Sequence, residues 1–362
     1  MKKICIVLGT RPEIIKMMPI IRECKRVALP FFIVHTNQHY ADSLDAIFFR
    51  ELKLPKPKYH LGVGSGTHAE TTAAALLRLE PVLLKEKPSC VLVEGDTNTV
   101  LAGALAAVKC GIPVGHVEAG LRSYDRTMPE EANRVLVDHC AYLLFAPTPR
   151  DANILMKEGI ERKKVFLTGN TIVDALRESV HIAKRNSAIL SHLKISKRRF
   201  VLATAHRQEN VDSKIRISGI FKGLELIARE FEIPVIYTLH HSTRARLKKF
   251  KLFIPAGVSV IEPVGFFDFL MLEASAALCV TDSGGVQEES CILGTPCITV
   301  RENTERPDTV KIGSNMLAGT APEKILSCAR TMMSKKKSWK HPFGDGHAAR
   351  RIVRILTNRM VH

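Results

Sequence analysis

Short apolar runs recur along the chain, separated by longer stretches with helical periodicity. Residues 3–8 read as a first strand, and Thr10 then opens a helix. Thr10 and Glu13 have capping-box spacing, and Pro12 sits in the first turn, where its missing N–H is harmless. Residues 32–35, 90–93, 114–117 and 143–146 read as further strands, and 100–108 as a helix stopped by Gly111. A second series follows residues 165–167, with strands expected at 200–204, 234–237, 259–261, 277–281 and 296–300. Residues 172–198 read as a helix and then a basic stretch crossing between the two halves, and a last helix is expected from about 346 to 358. Strands alternating with helices at this spacing predict parallel, doubly wound sheets in two similar α/β domains that meet at a cleft.

Length agrees with that division, since 362 residues are too many for one ordinary core. A hydrophobic content of 46% and a charged content of 25% are those of a soluble globular protein. No apolar run reaches the roughly 20 residues of a membrane-spanning helix. The N-terminal apolar stretch stops at Gly9-Thr10-Arg11-Pro12-Glu13, with charge where a signal-peptide cleavage site would lie, so a cytoplasmic location is expected. Cys5, Cys90, Cys279 and Cys297 lie in apolar strand-like runs, and no Cys-x-x-Cys pair occurs among the nine cysteines. His35 and His39 have metal-ligand spacing, but in a strand running into a loop, and no metal is expected. The net charge of +17 gathers in residues 184–199, 244–251 and 335–340. No zinc-finger, RNP-like or basic-zipper pattern accompanies it, so solvated faces, or a mild steering field for a phosphorylated substrate, account for it better than nucleic acid.

The chemistry-bearing residues fall where strands run into helices, which is where open parallel sheets bind ligands. Gly9-Thr10-Arg11-Pro12-Glu13, with Lys16 a turn beyond, offers a helix N-terminus and two cations to an anion, or a capped helix with solvated basic residues. Thr281-Asp282-Ser283-Gly284-Gly285-Val286-Gln287-Glu288-Glu289 follows an apolar strand and opens a helix. Its glycines allow close approach of a diphosphate, and Glu289 can accept from ribose hydroxyls; a tight turn with a serine cap is the plainer alternative. Asp96 and Glu118 end two apolar strands and should point toward one cleft, although Asp96 also suits a cap for a helix beginning at Thr97. Arg122 and Arg134 can pair with these carboxylates, and Glu130-Glu131 add further acid. His206 ends the first strand of the second domain, as a functional or a satisfied structural histidine. Neither Gly-x-Gly-x-x-Gly after a strand nor a P-loop is present, and Gly62-Val63-Gly64-Ser65-Gly66 reads as a loop, so bound NAD is not expected.

Taken in order, Gly9 to Glu13 with Lys16, Gly95-Asp96-Thr97, His116 to Arg122, Pro129 to Arg134, Thr168-Gly169-Asn170-Thr171, Thr281 to Glu289 and Thr304-Glu305-Arg306-Pro307 resemble the non-hydrolysing UDP-N-acetylglucosamine 2-epimerases. The resemblance implies a GT-B fold: a Rossmann-like domain over 1–170, a UDP-binding Rossmann-like domain over 171–345, and a final helix, 346–362, crossing back onto the first. It implies a homodimer, hinge closure on the substrate, and interconversion of UDP-N-acetylglucosamine and UDP-N-acetylmannosamine for surface polysaccharides without any cofactor. It makes Asp96, Glu118, Glu130 and His206 catalytic. Arg11, Lys16, Ser283, Gly284, Gly285, Glu289 and Arg306 match positions that hold UDP, and Phe269 falls near the aromatic that packs on uracil. Two departures stand out. Where the family often has His-Arg-Arg-Glu, this chain has His206-Arg207-Gln208-Glu209; and where bacterial members build a second, activating nucleotide-sugar site from a Gln-His-Arg segment and an arginine in a later helix, this chain has Gln38-His39-Tyr40 and Ala74.

The C2 proton of the sugar is not next to a carbonyl and becomes acidic only as UDP leaves C1, so cations on the diphosphate and carboxylates on the two ring faces are the groups required. The competing readings are a hydrolysing epimerase of the same fold, an epimerase of a UDP-diacetamido-uronic acid, a GT-B glycosyltransferase, and a nucleic-acid binder supported by charge alone.

Overall fold

A computed structural model of the chain describes residues 3–37, 49–335 and 339–360. It contains two compact units, Met1–Ala175 with Phe343–His362, and Leu176–Pro342.

In the first unit the described residues form a seven-stranded parallel sheet. Its strands are β1 (Ile4–Leu8), β2 (Phe31–His35), β3 (Tyr59–His60), β4 (Cys90–Glu94), β5 (Val114–Val117), β6 (Leu143–Ala146) and β7 (Val165–Leu167). They lie in the order β3-β2-β1-β4-β5-β6-β7. β1, β4, β5 and β6 are buried at every position, as central strands of a parallel sheet covered on both faces must be. The helix Arg11–Arg26 buries Ile14, Met17, Met18 and Ile21. The last helix, Ala348–Met360, packs beside it and buries Ile352, Val353 and Leu356. Each such side chain contributes about 1.5–3 kcal/mol by leaving water.

The second unit repeats the plan with β8 (Val201–Thr204), β9 (Val235–Thr238), β10 (Val258–Ile261), β11 (Leu278–Thr281), β12 (Cys297–Thr299) and β13 (Asn315–Leu317), in the order β10-β9-β8-β11-β12-β13. All pairings in both sheets are parallel. In each sheet the order therefore reverses beside the first strand, between β1 and β4 and between β8 and β11. The loops leaving those strands flank the switch point, where doubly wound sheets bind ligands.

The observed strands follow the expected ones closely, with differences that have physical causes. Residues 234 and 296 are prolines with no N–H for the ladder, so β9 and β12 begin one residue later than the apolar pattern suggests. β3 and β13 are edge strands of two and three residues, too short to carry a periodicity. The helix and basic stretch expected over 172–198 resolve into a helix, Thr171–Asn186, and a separate short helix, Ile189–His192.

Candidate active site

The first unit gathers ionisable groups at the C-terminal ends of β1, β4 and β5. Lys16, in the second turn of its helix, is only 7% exposed. Its Nζ lies 2.5 Å from Glu118 Oε2 and 3.2 Å from Glu94 Oε1. Glu94 is the last residue of β4, and Glu118 directly follows β5; both are buried. Asn170 donates through Nδ2 to Glu118 Oε1 at 3.2 Å. Glu118 reaches this geometry with φ of +70°, a left-handed conformation unusual for a glutamate and a sign of strain held in place by its surroundings. Burial pushes the Glu94 carboxyl well above the usual range; Lys16 opposes that and the neighbouring Glu118 reinforces it.

A third carboxyl lies beneath this group. Glu13 accepts from the backbone N–H of Gly9 at 2.6 Å and from Thr97 Oγ1 at 2.6 Å. Burial outweighs these bonds and raises its pKa to about 7. The glutamate of the expected capping box thus also ties the loop after β1 to the loop after β4.

Asp96 does not cap the following helix: Thr97 is the N-cap of Asn98–Lys109, and its Oγ1 accepts from Val100 N–H at 3.4 Å. Asp96 instead pairs with Arg134, whose Nε lies 3.2 Å from Asp96 Oδ2. Arg134 also holds Glu131 at 2.5 Å, and Glu131 fixes the preceding turn by accepting from Ser123 and Tyr124 N–H. Of the acidic pair, Glu131 is therefore a buried scaffold, while Glu130 lies half-buried in the first turn of Pro129–Cys140. Arg122, expected beside Asp96 or Glu118, pairs with Asp138 at 2.7 Å and Glu158 at 2.6 Å. Asp138 also holds His116 Nδ1 at 2.7 Å, and His116 Nε2 meets the Gly95 carbonyl at 2.9 Å. This network pins Gly95, whose φ of +86° is glycine territory, and so fixes the Asp96 loop.

In the second unit the same role falls to Asp282, fully buried after β11. Its carboxylate accepts from the N–H groups of His206 and Arg207 at 3.0 Å each and from Asn210 Nδ2 at 3.0 Å. The Tyr237 hydroxyl donates to the Ala205 carbonyl at 2.9 Å, so the loop after β8 is clamped from both sides. His206 itself is 40% exposed, with its ring facing that of His240. Ser283 stands at the N-cap of Gly284–Leu293 but makes no side-chain cap bond, unlike the serine-capped turn considered from sequence. A Cβ on Gly284 would sit 2.4 Å from Glu305 Oε1, which explains the glycine there. Arg306 is buried at 2.8 Å from Glu288, and Arg301, fully buried, holds Glu305 at 2.9 Å and Glu209 at 3.1 Å. Glu289 is half-buried on the same helix and touches the fully buried carboxyl of Glu273, whose pKa burial and Glu289 together raise. Phe269 is half-buried in Phe266–Ser275.

The structure thus brings Lys16 and Glu118 together in one cluster and places Asp96 on a separate ion pair, linked to it through Gly95. Arg11 is half-buried at the start of its helix. Glu94, Glu13, Asn170 and Asp282 were not singled out from sequence as site residues, although all lie in or beside the motifs quoted. His39 and the segment Gln38-His39-Tyr40 lie outside the described residues, while Ala74 lies within the helix His68–Glu86.

A family model described as UDP-N-acetylglucosamine 2-epimerase matches residues 22–357. A UDP-N-acetylglucosamine 2-epimerase from Methanocaldococcus jannaschii is 53% identical, with 98% of this chain and 99% of that protein covered. A UDP-2,3-diacetamido-2,3-dideoxy-D-glucuronate 2-epimerase from Pseudomonas aeruginosa is 40% identical, covering 98% and 99%. The crystal structure of M. jannaschii UDP-GlcNAc 2-epimerase in complex with UDP-GlcNAc and UDP superposes with a TM-score of 0.94 at 53% identity, covering 98% and 99%. With two parallel-sheet α/β units and this likeness along the whole chain, the fold is of the GT-B class.

Glu13 gives a pH signature. A carboxyl raised to about 7 on folding stabilises the chain fully below its unfolded pKa, and that contribution is lost as pH rises through about 7. Glu13→Gln cannot ionise, so its stability relative to the native chain should improve between about pH 5 and pH 8, by up to about 3 kcal/mol. Urea unfolding at the two pH values measures this; a difference that does not change with pH would contradict it.

Proposed function

The chain belongs to the UDP-N-acetylglucosamine 2-epimerase family, and from that premise we propose how its two units divide the inversion of C2 that interconverts UDP-N-acetylglucosamine and UDP-N-acetylmannosamine. The observation that carries this reading is the buried Glu118 carboxylate directly after β5, held by Lys16 and Asn170. The second unit is the nucleotide-binding one. Its Gly284–Leu293 helix start, with Ser283, Gly284 and Gly285, suits a diphosphate, because first-turn N–H groups have no intrahelical partner and carry the positive end of the helix dipole. Arg306 adds charge to the diphosphate, Glu289 accepts from the ribose, and Phe269 covers the uracil. In the first unit Arg11 and Lys16 oppose the negative charge that develops on the leaving group.

The C1–O bond to UDP breaks with its electron pair going to the diphosphate, which leaves an oxocarbenium-like centre. That centre acidifies the C2–H, and a carboxylate takes the proton, giving the 2-acetamidoglucal. A second acid returns a proton to C2 from the opposite face as UDP adds back to C1. Asp96, Glu118 and Glu130 form the acid/base set, and His206, exposed and braced through its backbone by Asp282, steadies the diphosphate. The reaction needs no hydride acceptor, because the electrons that leave C1 with UDP return with it.

Three finer points belong to the same reading. The chain works as a homodimer: Leu77 and Leu84 on His68–Glu86, Val108 on Asn98–Lys109 and Leu136 on Pro129–Cys140 are exposed apolar side chains on neighbouring helices. It works in the cytoplasm, where free thiols such as its buried cysteines stay reduced. Its product supplies N-acetylmannosamine units for surface polysaccharides.

Incubating the full chain with either UDP-sugar should yield the same mixture of both, with no free N-acetylmannosamine. Accumulation of the free sugar with UDP would move the chain to the hydrolysing class, and inertness toward both with turnover of a UDP-diacetamido-uronic acid would move it to the sister activity. Asp96→Asn and Glu118→Gln should each slow turnover by at least about a hundredfold while UDP still binds; a fully active variant removes that residue from the set. Light scattering should give the double variant Leu77→Asp/Leu84→Asp about half the native molar mass; a native chain that is itself monomeric would refute the dimer.

A further inference from the structure

Glu94 has no part in the reaction as written above, yet it is buried against the group that does. Three carboxyls, Glu13, Glu94 and Glu118, converge with one ammonium, Lys16, and all four residues are less than a tenth exposed. If every carboxyl were ionised the cluster would hold a net negative charge away from water, which is strongly unfavourable for an unpaired ion. A proton inside the cluster removes that cost. The groups facing Glu94 decide where it sits. Lys16 Nζ lies nearer to Glu118 Oε2, at 2.5 Å, than to Glu94 Oε1, at 3.2 Å. Glu118 also accepts from Asn170, whereas Glu94 Oε1 has only the longer Lys16 contact. From the helix Arg11–Arg26, Glu13 is a further carboxyl neighbour, itself raised to about 7, whose ionisation disfavours a charge on Glu94. From β5, His116 turns its ring to Asp138 and the Gly95 carbonyl, and beyond Gly95 the Asp96 carboxylate is held by Arg134. Glu118 therefore has the donors that favour a carboxylate, and Glu94 has the surroundings that favour an acid. Both carboxyls lie on the one ammonium, so each is the other's immediate charged neighbour.

We propose that Glu94 is a positioning residue that retains one proton in this cluster and donates it as a hydrogen bond to Glu118, so that Glu118 is the ionised member of the pair. Glu118 then meets the substrate with its charge fixed and both oxygens oriented, by Lys16 and Glu94 on one side and Asn170 on the other. The inference rests on the reading of Glu118 as an acid/base group. It gives Glu94 a role that ends when the proton leaves, because ionised Glu94 would set a second negative charge beside Glu118 and draw Lys16 toward itself.

The test is the alkaline limb of the pH–rate profile in the full chain. Glu94→Gln keeps a neutral donor that cannot ionise, so the ratio of turnover at about pH 9 to that at about pH 7 should rise at least about threefold over the native ratio. An alkaline limb identical in the folded variant and the native chain would overturn the proposal. A second measurement does not depend on that variant folding. With glutamate side-chain carboxyls labelled with carbon-13, the Glu94 resonance should titrate well above the ordinary carboxyl range in the native chain, as those of Glu13 and Glu273 do, and should be the one that moves down most when Glu118→Gln removes the adjacent charge. If no high-titrating glutamate responds to Glu118→Gln, Glu94 does not hold the proton. The two readings fail differently: a fully active Glu118→Gln sinks the acid/base assignment, whereas an inactive Glu118→Gln with an unchanged Glu94→Gln profile sinks only the role of Glu94.

Discussion

The ammonium of Lys16, buried between Glu94 and Glu118, is the interaction on which the first unit's site depends. It joins the helix after β1 to the ends of β4 and β5, and Asn170 extends the same group toward the segment after β7. Removing one partner of a buried ion pair typically costs about 3–5 kcal/mol, because the other charge is left uncompensated in a poor solvent. Each of these residues is thus constrained by the others. The strain at Glu118, with its positive φ, is sustained by that mutual constraint, as backbone strain at functional sites generally is. The arrangement yields a carboxylate of fixed orientation where a doubly wound sheet presents its ligands.

The second unit solves a related problem with a single buried acid. Asp282 occupies the same topological position after β11 that Glu94 and Asp96 occupy near the end of β4, and it binds backbone N–H groups rather than a lysine. The result is a braced loop carrying an exposed histidine next to a helix N-terminus that lacks a side-chain cap. A rigid N–H array suits a diphosphate, whose charge is constant, while a paired carboxylate cluster suits a carbon acid, whose proton must come and go.

Most of the fold was legible because apolar runs and helical periodicity agree with the strand–helix alternation, and only β3 and β13 were too short to signal. The site was legible where a charged residue had no structural excuse. Glu118 stood out because it directly follows a buried strand, and Lys16 because it follows a helix start. Asp96 was ambiguous because a helix begins nearby, and the resolution lies in Arg134, 38 positions along the chain. Glu94 gave no signal, since a glutamate closing a valine-rich strand looks like an ordinary boundary. Glu13 already had an explanation in the capping box, which hid its burial. Pairings such as Arg122 with Asp138 and Glu158 depend on tertiary contacts that spacing does not encode.

In the proposed mechanism, carboxylates of the first unit remove and return the C2 proton while UDP is detached. A proton NMR time course with UDP-N-acetylglucosamine in deuterated water tests it most directly. UDP-N-acetylmannosamine should appear with deuterium at C2, and the remaining UDP-N-acetylglucosamine should acquire it as equilibrium is approached. Epimerised product that keeps its original C2 proton would contradict the account.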